Sequence, residues 1–196
     1  MILSLPPGDF RAYLFDCDGT IADSMPLHYR AWKQALDEWG CVFPEDLFYA
    51  WGGRTVADII TSLNEDQGLA MPVEAVAHRR ELLFREYLPQ VTVVPGVLAH
   101  IEHAAGRIPT AVVSGSTRDS VTASLTALGL LDRFDVLVCA GDYTRAKPDP
   151  EGYLRAAEHL GVPPEHCLVF EDTEMGIRAA TAAGMASVRI PDPRPR

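Results

Sequence analysis

The chain has 196 residues and carries 17 lysine and arginine side chains against 27 aspartates and glutamates, a formal net charge of −10. With 47% hydrophobic residues, this length holds one domain or a core with a smaller insert, and disorder is excluded as the main state. The acidic balance argues against nucleic-acid binding through a broad basic face but leaves room for a small anionic ligand in a focused pocket.

In chain order, AYLF (Ala12–Phe15) reads as a first buried strand that ends at Asp16. Residues 24–93 then hold the helical patterns LHYRAWKQALDEWG, TVADIITSLNED and VEAVAHRRELLFREYL with no convincing buried strand, which predicts an all-helical insert. A second apolar run, TAVV at 110–113, precedes Ser114, and the helix TASLTALGLL after it stops near Gly129. VLVCA (Val136–Ala140) is the third run. Asp149 and Pro150 suit the N-cap and first residue of a helix through YLRAAEHL that Gly161 stops. CLVF at 167–170 precedes Glu171, a helix is expected from Gly176 to Gly184, and a fifth run at 186–190 precedes the tail PDPRPR, which should fray.

Uninterrupted apolar runs of this length suit strands buried on both faces, as in a parallel sheet, and their alternation with helices implies a doubly wound α/β core. The expected organisation is a core of residues 1–23 and 94–196 with the insert at 24–93. An insert between the first two core strands lies over the carboxyl edge of the sheet, where such folds bind ligands. No apolar run approaches the ~20 residues of a membrane helix, and the N-terminus MILSLPPGDFR lacks the marks of a secretory signal, so a cytoplasmic protein with no membrane partner is expected. Cys17, Cys41, Cys139 and Cys167 form no CxxC pair and read as reduced thiols filling apolar space. The six histidines show no zinc spacing.

Candidate chemistry gathers at the ends of the apolar runs. Asp16-Cys17-Asp18-Gly19-Thr20 places two carboxylates two residues apart at a strand mouth, where one can attack and the other handle a proton; the alternative is a solvated turn. The Ser114 hydroxyl and the Gly115 amide suit a phosphate or oxyanion cradle, or simply a helix cap. Lys147, one of two lysines in the chain, stands in the Pro-bounded loop AKPDP after the third strand, where its point charge can neutralise a phosphate or face solvent. Glu171 and Asp172 end the fourth run and supply oxygen ligands suited to a hard divalent cation, which would also relieve repulsion between two acidic clusters.

These motifs, in this order, resemble the haloacid dehalogenase-like superfamily, whose members are mostly phosphatases and phosphomutases. The resemblance covers nearly the whole chain and implies a Rossmann-like, doubly wound parallel sheet with an inserted helical cap and Mg2+-dependent phosphoryl transfer. It implies that Asp16 is the nucleophile that becomes an aspartyl phosphate, and that Asp18 protonates the leaving alkoxide and then activates water. The Asp16 carboxylate, the Asp18 backbone carbonyl and the Asp172 carboxylate would hold Mg2+, with Glu171 supporting directly or through water, while Ser114, Gly115 and Lys147 would bind phosphoryl oxygens. Asp18 argues against the dehalogenase and phosphonatase members.

Within the superfamily, Asp23-Ser24-Met25-Pro26-Leu27-His28 and the ending FEDTEMGIRAATAAGM are similar to the β-phosphoglucomutase and fructose-1-phosphatase-type branch, which places His28 on the second aspartate. Gly52-Gly53-Arg54-Thr55 resembles its cap loop, in which Arg54 would hold a second phosphate or sugar hydroxyls. The cap lysine of the mutase has only Arg79 or Arg80 opposite it in AHRRELLF, which leaves a charge of different geometry. Tryptophans 32, 39 and 51 with Phe43, Phe48 and Tyr49 read as cap core, with a sugar-stacking platform as the alternative. The expected partner is a small phosphorylated sugar or polyol, with no nucleic acid, and the expected state a monomer. Three activities stay open: a sugar-phosphate phosphatase, a β-phosphoglucomutase-type mutase, and a non-catalytic phospho-acceptor like a receiver domain.

Overall fold

The computed structural model describes residues 3–191. Five strands, β1 (Ala12–Phe15), β2 (Thr110–Thr117), β3 (Val136–Ala140), β4 (Cys167–Glu171) and β5 (Ala186–Arg189), form one sheet in the order β3-β2-β1-β4-β5, with every pairing parallel. Phe15 is in register with Val112 of β2 on one side and with Phe170 of β4 on the other. The chain adds strands outward from β1 on one side and crosses over to the other after β3. The carboxyl end of β1 is therefore the point where strand order reverses, the usual ligand-binding place in such sheets.

Side chains alternate across the sheet with the period of two that a strand imposes. Ala12 and Leu14 join Ala111, Val113 and Val169 in a layer with Tyr153, Ala156 and Ala157 of α7 (Glu151–Leu160) and Ala179 and Ala180 of α8 (Glu174–Ala182). Tyr13 and Phe15 join Val112, Leu168 and Phe170 in the opposite layer. It is covered by Ile101 and Ala104 of α5 (Leu98–Ala104) and by Val121 and Leu125 of α6 (Arg118–Ala127). The rings of Phe15 and Phe170 stack at 4.5 Å, adding about 1 kcal/mol to the burial of both. With apolar residues required on both faces, the strands read as continuous runs.

Several boundaries differ from expectation. β2 continues four residues beyond TAVV, through Ser114 to Thr117, with a register shift between Val113 and Thr117, so Ser114 sits inside the strand. α8 starts at Glu174 rather than Gly176, because the Thr173 hydroxyl caps it by accepting from the Gly176 amide. α7 starts at Glu151, with Asp149 Oδ1 accepting from the Glu151 amide at 3.0 Å. Gly161 ends that helix at φ +66°. Of the terminal tail, residues 192–196 lie outside the described residues.

The described chain divides into two compact units, one running to Asp23 and resuming at Thr92, the other Ser24–Val91. Asp23 donates its amide to the Thr92 carbonyl and Ala22 bridges Val93, which ties both crossings to the sheet-containing unit. The second unit consists of α1 (Met25–Asp37), α2 (Glu45–Ala50), α3 (Val56–Gln67) and α4 (Val73–Tyr87). Its core includes Trp32, Phe43, Phe48, Ile60 and Leu63. Trp39 is 43% exposed, contrary to its expected core place, because it follows the last turn of α1 and falls off that helix's apolar stripe. α2 and α5, six and seven residues long, are too short to show a helical period and were not expected. No helix among the described residues is long and apolar enough to cross a membrane.

Candidate active site

The acidic residues that end β1 and β4 meet because those strands are neighbours in register. The Asp16 amide donates to the Phe170 carbonyl at 3.0 Å, which sets Asp16 beside Glu171. Lys147 enters from the loop after β3, through a cis Lys147–Pro148 peptide. Its ammonium donates to Asp16 Oδ1 and to Glu171 Oε1, each at 2.6 Å, and to the Val113 carbonyl at 3.1 Å. The lysine side chain is 14% exposed, so this is an enclosed charge cluster. Carboxylate oxygens of Asp16, Glu171 and Asp172 lie within 4.8 Å of one another.

Glu171 is fully engaged. Besides Lys147, its Oε1 accepts from the Tyr153 hydroxyl at 3.3 Å, and its Oε2 accepts from the Thr173 amide at 2.7 Å and the Thr173 hydroxyl at 2.9 Å. Burial pushes its pKa up, but the Lys147 charge and the Thr173 bonds outweigh burial and hold it below the usual carboxylate value. Burial raises Asp16 well above its ordinary value; Lys147 opposes the shift, and the Glu171 and Asp172 charges reinforce it. Asp172 is pushed up to about 7 by burial and then by the Glu171 charge.

With all three carboxylates ionised, the one ammonium would leave two surplus negative charges in this enclosed site, which is the repulsion that raises Asp16 and Asp172 beyond the effect of burial. That charge and donor set fit a hard divalent cation. Gly19 shapes the floor: its φ of +86° suits glycine, and a Cβ there would strike the Asp172 carboxylate. The Thr20 hydroxyl donates to Asp172 Oδ1 at 3.2 Å.

Asp18 is tied to the end of β2, where Ser116 Oγ donates to its Oδ2 at 2.7 Å. Ser114 is buried. Its hydroxyl accepts from the Ser116 amide at 3.0 Å and its carbonyl accepts from Tyr143, while Gly115 beside it is exposed. The structure thus joins Asp16, Lys147, Glu171 and Asp172 in one cluster. Val113 links that cluster to Ser114, and Ser116 links Asp18 to the same strand end. Sequence reading missed Ser116, Tyr153 and Thr173. The only signal for Ser116 was its place in VVSGST, and the two others looked like helix packing and a helix cap.

His28 and Arg54 belong to the helical unit. His28 stacks on Phe84 at 3.8 Å, and Arg80 Nη2 stands 2.5 Å from its Nδ1. Because a guanidinium can only donate, that ring nitrogen is the acceptor. Arg79 instead pairs with Glu38 at 2.8 Å, which separates the roles of the two arginines. Arg54 lies over the Trp51 ring at 4.4 Å and donates to the Ser62 hydroxyl at 2.7 Å.

The family model for haloacid dehalogenase-like hydrolases matches residues 10–184. The chain is 33% identical over 181 residues to the fructose-1-phosphate phosphatase YqaB of Escherichia coli strain K12, covering 92% of this chain and 96% of that protein. It is 32% identical to hexitol phosphatase A of the same organism, covering 95% and 86%. Among solved structures it is similar to β-phosphoglucomutase from Clostridium difficile, with a TM-score of 0.81 at 25% identity over 91% of this chain and 83% of that one.

Proposed function

Because the chain belongs to the haloacid dehalogenase-like hydrolases, we propose that it hydrolyses the phosphate ester of a small sugar or polyol, of the fructose 1-phosphate kind, through a phosphoryl group held transiently on Asp16. The observation that carries this reading is the Asp16 carboxylate fixed by Lys147 at the mouth of the central strand, with the second acid, Asp18, two residues on. Asp16 attacks phosphorus, the bond from phosphorus to the sugar oxygen breaks, and Asp18 gives its proton to the departing alkoxide. Asp18, now ionised, takes a proton from the water that attacks the same phosphorus. The bond to Asp16 then breaks, and inorganic phosphate and the free carboxylate result.

Phosphoryl transfer depends more on positioning and charge neutralisation than on covalent chemistry. Lys147 supplies a fixed positive charge to the phosphoryl oxygens, and the Ser114 hydroxyl and the Gly115 amide supply donors. Asp16, the Asp18 carbonyl and Asp172 would hold Mg2+, which supplies when bound the positive charge that the surplus of carboxylates calls for. Glu171, with both oxygens occupied by hydrogen bonds, supports that set by holding Lys147. The resemblance adds His28 and Arg54 of the helical unit to the substrate-binding set.

The test is phosphate release from a panel of sugar and polyol phosphates, with and without Mg2+, by the wild-type protein and by Asp16→Asn. The expected result is Mg2+-dependent turnover that falls at least about 10^3-fold in the variant. Turnover retained by the variant overturns the mechanism. The likeness to β-phosphoglucomutase supports a second reading, which β-glucose 1-phosphate with a bisphosphate primer separates: isomerisation faster than phosphate release selects the mutase.

A further inference from the structure

Lys147 is a flexible side chain that must place a point charge accurately, and its head group alone does not fix where its backbone sits. The loop that carries it is closed on itself. Glu151, the first residue of α7, turns its carboxylate back onto the start of that loop. Its Oε2 accepts from the Thr144 hydroxyl at 2.9 Å and the Arg145 amide at 3.1 Å, and its Oε1 accepts from the Thr144 amide at 3.2 Å and Arg155 Nη2 at 3.2 Å. At the other end Asp149 Oδ1 accepts from the Glu151 amide at 3.0 Å, and the Asp149 amide donates to the Ala146 carbonyl at 3.0 Å. Arg145 Nε closes the ring on Asp149 Oδ2 at 2.7 Å.

Lys147 therefore sits mid-loop between two anchor points that both belong to one residue. The same helix turn supports its far end, because Tyr153, two residues after Glu151, donates to Glu171 and lies with its ring 5.1 Å from the lysine nitrogen. We propose that Glu151 is a positioning residue for phosphate binding, which fixes the backbone of residues 144–149 so that Lys147 is held at the height of the transferring phosphoryl group. This rests on the phosphatase reading above for the role of Lys147. The donors on Glu151, led by the Thr144 hydroxyl and amide, hold its pKa down to about 2, so the clamp is charged throughout the neutral range.

Glu151→Gln keeps the size of the side chain but turns an N–H group toward donors. The test measures dissociation constants for inorganic phosphate and, separately, for Mg2+ by calorimetry, in the wild-type, Glu151→Gln, Lys147→Ala and doubly substituted proteins. The expected result is phosphate affinity weakened about tenfold by Glu151→Gln in the wild-type background and less than about twofold in the Lys147→Ala background, with Mg2+ affinity unchanged. Thr144→Val, which removes one hydroxyl donor from the clamp, should weaken phosphate about threefold and serves if Glu151→Gln fails to fold. Equal losses in both backgrounds, or no loss in either clamp variant, overturn the positioning role while leaving the phosphatase reading intact. A wild-type protein that binds no phosphate, or one indifferent to Lys147→Ala, overturns both.

Discussion

Replacing Asp172 by Asn should stabilise the metal-free protein, although it alters a carboxylate of the candidate site. Asp172 is raised from 3.8 to about 7, chiefly by burial and the Glu171 charge. The folded protein thus binds this proton more tightly than the unfolded chain does. Stability from this group is lost as pH rises from about 4 and levels off above about 7. At about 1.4 kcal/mol per unit, the shift costs the fold roughly 4 kcal/mol at pH 8, where the folded carboxylate is ionised, and about 2 kcal/mol at pH 5, where only the unfolded chain has lost the proton. Asparagine keeps an oxygen for the Thr20 hydroxyl and removes the charge. With EDTA present, Asp172→Asn should therefore melt about 8–16 °C above wild type at pH 8 and gain about half as much at pH 5. Added Mg2+ should raise the wild-type melting temperature and leave the variant unmoved. The assay is differential scanning calorimetry in EDTA and in Mg2+ at both pH values. A variant no more stable than wild type at pH 8, or one whose advantage grows toward acid pH, would refute the surplus-charge reasoning.

Gly19→Ala should lose about 1–3 kcal/mol in urea unfolding, because φ +86° strains a residue with a Cβ and that atom would press on the Asp172 carboxylate; unchanged stability would contradict the described turn. The four cysteines are all buried, and burial raises Cys139 and Cys167 to about 11. A thiol reagent at pH 8 should leave the native protein unlabelled over hours and label all four sites once it is unfolded in urea, and a site labelled rapidly in the native state would count against the packing described.

The sheet was legible because a strand buried on both faces needs an uninterrupted apolar run, and AYLF, VLVCA and CLVF are such runs. The acidic pairs were legible because Asp16 and Glu171 directly follow two of these runs and Asp18 and Asp172 stand within two residues of those acids. What escaped notice acts through hydrogen bonds that have no period and no composition. Ser116 reaches Asp18, Tyr153 reaches Glu171 and Glu151 reaches Thr144, and each residue type has an ordinary structural place: serine in a turn, tyrosine in helix packing, glutamate in an exposed first turn. The continuation of β2 through Ser114 was hidden because Ser-Gly-Ser-Thr favours turns, and pairing with β3 overrides that preference. Trp39 misled because aromatic character signals a core only when the helix phase delivers the ring inward.

The pairing of β1 with β4 also bears on how the molecule comes into being. Thr20 and Asp172, which touch in the folded protein, are 152 residues apart in the chain. On the ribosome, the segment bearing Asp16 emerges well before the segment bearing Glu171 and Asp172, so no early fragment brings these three carboxylates together. The like-charge repulsion therefore arises only when β4, the later-made of the two strands that flank β1, pairs with it.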